Sequence, residues 1–220
     1  MIAMLTSVNN IDEEYAFETV SKYIKPDMTV LCVPFASDLQ WQLNGDYTQY
    51  IEQHYRPFIK FGIKEENFDV VQLEHSKFFM LDLEDKIEKA DIILLTGGFM
   101  ENLMYLADVT NLDWLLHKYE DSDKIIIGES AGTLALQEDY WEVPNIEEHY
   151  KHYAYKQGLG VVEYLNLIVH FDKDNEKHLD NYEYVKSFSE GDVVIGLSDQ
   201  SMIIVDGDEY IMLGDYMSDI

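Results

Sequence analysis

The chain of 220 residues contains one cysteine, one arginine and no long apolar run. A single thiol rules out a disulfide framework, and Cys32 sits inside the apolar stretch TVLCVPF, where it reads as a buried strand residue. No apolar run approaches the roughly 18 residues that a membrane span needs. The opening stretch MIAMLTSVNNIDEE has neither a basic head nor a long apolar segment. No signal peptide is therefore expected, and the cytoplasm is the expected location. Positive charge is scarce too: 15 lysines and arginines face 43 acidic residues, a formal net charge of −28. Such a chain repels phosphate backbones, which argues against nucleic acid as a partner. The acids are spread over many stretches, so they read as a solvated surface rather than an interaction tail.

What is present is the material of a core. Apolar residues make up 47% of the chain, enough for one folded domain over 1–220, with no linker or composition shift to divide it. Short apolar runs at 2–6, 28–34, 68–73, 91–96, 124–128 and 165–171 read as strands. Longer amphipathic stretches at 11–24, 46–61, 79–89, 101–119 and about 174–188 read as helices. Strands apolar on both faces, alternating with helices, predict an α/β fold with a doubly wound, mostly parallel sheet. Residues 192–197, 201–205 and 209–213 read as one more strand followed by an antiparallel hairpin at the edge.

In such sheets, ligands sit beyond the carboxyl ends of the strands. There the sequence IIIGESAG passes from a strand into the helix former TLALQE, the setting of a nucleophile elbow. Ser130 is the candidate nucleophile; the alternative is the N-cap of an ordinary helix. A serine hydroxyl needs a base. His170 ends the strand NLIVHFD at the same sheet edge. His54, His117 and His178 lie in charged helical stretches and read as solvated, while His75 follows a strand and is placed to line a pocket. His149 and His152, three residues apart, are a weak metal pair with no third strong ligand, so no metal is expected. The orienting acid is Asp199, in IGLSDQS, with Glu138 or Asp139 as fallbacks; Asp172 is too close along its strand. Oxyanion donors are expected from the Ala131 backbone and from the Gly97-Gly98 turn after DIILLT.

In this order the motifs VPFA, LTGGFMENL, GESAG, GLGVV…NLIVHFD and VIGLSDQSMIIV resemble the dipeptidase E and cyanophycinase-type serine peptidases over most of the chain. The resemblance implies a flavodoxin-like sheet of the class I glutamine amidotransferase type. It also implies a Ser-His-acid peptidase acting on short peptides, without cofactor or metal. A monomer or homodimer is expected. Carried over, Ser130 matches the nucleophile, His170 the base, and Gly98 and Ala131 the oxyanion hole. Gly97 and Phe99, on the same turn, are the expected substrate-binding positions. Asp199 stands where the family usually has glutamate, and Phe99-Met100 where it commonly has Asn-Thr. Glu129 adds a carboxylate beside the nucleophile. The best-known members cleave after an N-terminal aspartate, which calls for a cation. With Arg56 the single arginine and Lys77 the one lysine placed near the site, strict aspartyl specificity is expected to be weak or absent. Two other readings stand beside this one. An α/β-hydrolase esterase shares GxSxG but usually runs Ser, acid, His. A catalytically silent relative would bind a small molecule or a protein instead.

Overall fold

Runs of branched apolar residues without polar alternation favour strands buried on both faces. In the computed structural model, which describes residues 1–38, 48–72, 83–144, 152–189 and 191–218, four such runs and a shorter strand with an exposed Asp69 build the five-stranded parallel part of the sheet. They are β1 (Ile2–Thr6), β2 (Val30–Val33), β3 (Phe68–Val70), β4 (Ile92–Leu95) and β5 (Ile125–Glu129). Two short strands, β6 (Asp139–Glu142) and β7 (Ala154–Gln157), form a separate antiparallel ribbon. Strand β8 (Leu165–Ile168) is followed by β9 (Val193–Asp206) and β10 (Glu209–Ser218). The main sheet runs β10-β9-β1-β5-β4-β2-β3, with β8 also on β9.

Seven α-helices are described: α1 (Glu14–Val20), α2 (Thr48–Ile59), α3 (Leu83–Lys89), α4 (Met100–Thr110), α5 (Leu112–His117), α6 (Ala131–Leu136) and α7 (Glu176–Phe188). Alternate strand residues face opposite sides. Leu5, Val33, Ile93 and Leu95 pack with Ile87, Leu103, Leu115 and Ala135 of α3 to α6. Met4, Cys32, Leu94 and Ile127 pack with Ala16, Val20 and Phe58 of α1 and α2. Each such aliphatic side chain, fully buried, stabilises the fold by about 1.5–3 kcal/mol. The doubly wound, mostly parallel architecture expected from the pattern is the one observed.

Four details differ from the sequence expectation. The helix expected over 101–119 is divided at Asn111, whose φ of 51° places it in the left-handed region that asparagine tolerates. The β6–β7 ribbon was not expected, because four residues of DYWE are too few to reveal a period. The strand expected over 165–171 stops at Ile168, because His170 turns into positive φ. The strand and turn expected near 198–200 are replaced by a single 14-residue strand, β9. The hairpin partner β10 pairs with both halves of β9 and carries the sheet across that point.

This long strand positions everything that follows. On its other edge, β8 pairs in parallel with residues 193–196 and β1 pairs antiparallel with 202–206. The carboxyl ends of β1 and β8 therefore meet head-on beside residues 197–201. There the β9–β10 register slips, so that 198–200 face only Asp215, a bulge. Gly214, at φ 81°, holds the opposite side, and a Cβ on it would collide with the Gln200 carbonyl. Gly214→Ala is expected to cost about 2 kcal/mol, lowering the thermal midpoint by roughly 4–8 °C in a melt followed by circular dichroism.

Candidate active site

Ser130 joins β5 to α6 at φ 49° and ψ −109°. A side chain in that region stores roughly 1–3 kcal/mol of strain and persists only where the surroundings hold it. Here Thr6 and Thr133 do the holding. The Ser130 N–H donates to the Thr6 carbonyl at 2.9 Å. Thr6 Oγ1 donates to the Gly128 carbonyl at 2.9 Å, and the Thr6 N–H donates to Thr133 Oγ1 at 3.0 Å. The flanking glycines are steric necessities: a Cβ on Gly128 would lie 2.7 Å from Thr133 Cα, and one on Gly132 would strike the Leu95 carbonyl. Ser130 makes no side-chain cap bond, so the ordinary N-cap alternative does not describe it.

Its hydroxyl points to His170 instead. Ser130 Oγ lies 2.8 Å from His170 Nε2, and His170 Nδ1 lies 2.7 Å from Asp199 Oδ1. A carboxylate only accepts, so Nδ1 carries the proton and Nε2 is free to accept from the serine. His170 is itself at φ 55°, directly beyond β8. Its backbone N–H donates to Ser7 Oγ at 2.9 Å, and Ser7 Oγ donates to the Leu197 carbonyl at 2.8 Å. Asn10 Nδ2 donates to the Asp199 carbonyl at 2.7 Å. The fallback acids lie elsewhere: Asp139 accepts from the Tyr155 hydroxyl, and the Glu138 N–H donates to the Val162 carbonyl. Asp199 lies within β9 on the bulge, not in the tight turn expected after a strand.

Glu129 turns away from Ser130. Its carboxylate approaches His54 Nδ1 at 3.4 Å, and both side chains are largely buried. His54 is thus a buried residue of α2, not the solvated one expected. The Tyr50 ring lies 4.2 Å from the His54 ring, and its hydroxyl bonds Thr96 Oγ1 at 2.6 Å. Burial, reinforced by the charge of Glu129, pushes the Cys32 thiol well above its ordinary value, in keeping with an inert strand residue.

Gly98 has φ 136°, and a Cβ there would collide with the Ala36 carbonyl, which accepts the Phe99 N–H at 2.7 Å. The VPFA segment and the Gly-Gly turn are thereby locked together. Ala131 opens α6, so its N–H has no acceptor within the helix. Gly98, Phe99, Ser130, Ala131 and His170 line one cavity of about 340 Å³. Gly97 is not in its lining and packs behind Ser130.

Three residues of this region escaped sequence reasoning. Ser7 and Thr6 are signalled only as polar residues ending the apolar run IAML. Glu142 lines the cavity, although its residue is 7% exposed. One of its oxygens pairs with Lys156 at 2.7 Å, and Oε1 has no hydrogen-bond partner among the described residues. Two more histidines expected to be solvated are engaged: His117 Nε2 with the Leu159 carbonyl at 2.9 Å, and His178 Nδ1 with the Asp172 N–H at 2.8 Å. His75, Lys77 and His149 lie outside the described residues.

A doubly wound sheet whose strand ends join a strained serine, a histidine and a carboxylate defines a hydrolase of the serine-peptidase type. The chain belongs to peptidase family S51, whose model matches residues 3–213. No curated protein sequence matches it significantly. Among solved structures it is similar to a Listeria monocytogenes EGD-e protein provisionally named as a peptidase E, with TM-score 0.65 and 20% identity. That match covers 97% of this chain and 98% of the other. It is also similar to a peptidase from an acI-B1 Actinobacterium, with TM-score 0.68, 17% identity and 97% and 87% of the two chains covered. Likeness at these identities concerns the fold. Replacing Ser7 by alanine leaves the His170 N–H without its acceptor, at a cost of about 1–3 kcal/mol. Ser7→Ala is expected to lower kcat/KM about 10-fold in peptide hydrolysis, against a smaller change in KM.

Proposed function

We propose that this serine peptidase is a cytoplasmic exopeptidase that hydrolyses dipeptides and other short peptides from a free N-terminus. The observation that carries the chemistry is the unbroken chain of hydrogen bonds from Ser130 through His170 to Asp199. In this reading His170 Nε2 takes the hydroxyl proton as Ser130 Oγ attacks the first peptide carbonyl. Asp199 stabilises the imidazolium that forms and keeps the ring aligned. The backbone N–H groups of Ala131 and Gly98 face the developing oxyanion. His170 then protonates the leaving amine, and water, deprotonated by the same nitrogen, releases the acyl group.

Glu142 supports the exopeptidase part of the proposal. A buried carboxylate oxygen without a partner is costly unless something meets it. That oxygen is closed to solvent, and in this reading the Glu142 side chain turns it toward the α-ammonium of a short peptide in the same cavity, which meets it with a charge-assisted hydrogen bond. The chain order Ser130, His170, Asp199 differs from that usual in α/β-hydrolase esterases.

Ser130→Ala is expected to lower kcat/KM for dipeptides by a factor on the order of 10⁴ or more, with an unchanged melting curve. Undiminished turnover in that variant contradicts the proposal. N-acetylation of the same dipeptide is expected to reduce kcat/KM at least about 100-fold, and Glu142→Gln to raise KM with little effect on kcat. Equal cleavage of blocked and free peptides contradicts the exopeptidase reading alone.

A further inference from the structure

The cavity beside Ser130 has one formally charged side chain among its described lining residues, the carboxylate of Glu142. Its remaining polar side chains offer no cation. His178 accepts the Asp172 N–H on Nδ1 at 2.8 Å. An amide N–H only donates, so that nitrogen is bare and the ring is a neutral imidazole with its proton on Nε2. Asn181 is engaged as well, its Oδ1 accepting from the Tyr153 hydroxyl at 2.7 Å. The walls come from separate elements and are apolar: Met100 opens α4, Leu134 lies in α6, Trp141 in β6 with Val143 just beyond it, and Ile168 ends β8. The Trp141 ring is fixed by Tyr155, Tyr184 and Phe188, with centroids 5.0, 5.7 and 5.9 Å away.

From this lining we infer that the cavity selects a substrate whose first residue carries a bulky uncharged side chain, of the leucine, methionine or phenylalanine kind. The inference rests on the peptidase reading above. With the α-ammonium on Glu142 and the carbonyl at Ser130, the described walls left for the first side chain are apolar. Burying a large apolar side chain there is favourable. An aspartate or glutamate side chain would give up its hydration with no cation among the described lining residues to receive it, Lys156 being already paired with Glu142 at 2.7 Å. A lysine or arginine side chain would bring a second cation to a site whose one free acceptor oxygen is already engaged.

The test is a panel of dipeptides sharing one second residue and differing in the first: Leu, Met, Phe, Gly, Asp and Lys. The wild-type protein is expected to show kcat/KM for Leu, Met or Phe at least about 100-fold above Asp and Lys, and roughly 10-fold or more above Gly. Trp141→Ala, checked for folding by circular dichroism, is expected to reduce the preference for Phe over Gly severalfold, chiefly through KM. Preference for Asp or for Lys overturns the inference while leaving the peptidase reading intact. Equal rates across the panel overturn it as well. Cleavage of none of the six, with Ser130→Ala indistinguishable from wild type, removes the peptidase reading and this inference together.

Discussion

The hydroxyl of Ser7 joins three elements that the chain brings from far apart. It lies at the end of β1, donates to the Leu197 carbonyl of β9, and accepts the backbone N–H of His170 beyond β8. Ser7 is completely buried, so both bonds form without competition from water. Beside it, Thr6 holds the other half of the site through the Ser130 N–H and the Gly128 carbonyl. Two adjacent residues at one strand end thus set Ser130 against His170. The strained backbone of Ser130 and the positive φ of His170 both depend on this clamp.

The head-on meeting of β1 and β8 along one edge of β9 explains why Asp199 approaches His170 from mid-strand. A regular strand would carry residue 199 past the junction with its side chain set by the pleat. The bulge at 198–200 breaks that alternation, and Asp199 reaches His170 at 2.7 Å. Asn10 fixes the same residue from its backbone carbonyl. The short acid and the irregular strand belong to one solution. Charge enters at longer range: with a net charge of −28 the protein attracts cationic ends of peptides and repels anionic ones, an effect that salt weakens.

Local pattern carried the parallel strands, since IAMLT, DIILL and KIIIG are apolar on both faces and have one natural use. Ser130 and His170 were legible as candidates because each closes such a run with a polar residue, and the structure brings the two within 2.8 Å of each other. Asp199 was legible as a residue but not in its setting, because a strand continued by a distant hairpin partner leaves no local trace at LSDQ. The placement of Ser7 and Glu142 rests on tertiary contacts, and a lone serine or glutamate carries no signal of those. His54 was legible in principle: Tyr50, His54 and Phe58 recur every four residues on one helical face, which is the face that packs inward. The surrounding charges of α2 concealed it.

The account rests on Ser130 being activated by His170 and oriented through Asp199. Treating the protein with a fluorophosphonate and mapping the adduct by mass spectrometry tests this directly. A single adduct on Ser130, lost in His170→Ala and formed more slowly in Asp199→Ala, is the result expected. An unlabelled Ser130, or labelling that survives unchanged without His170, would contradict the account.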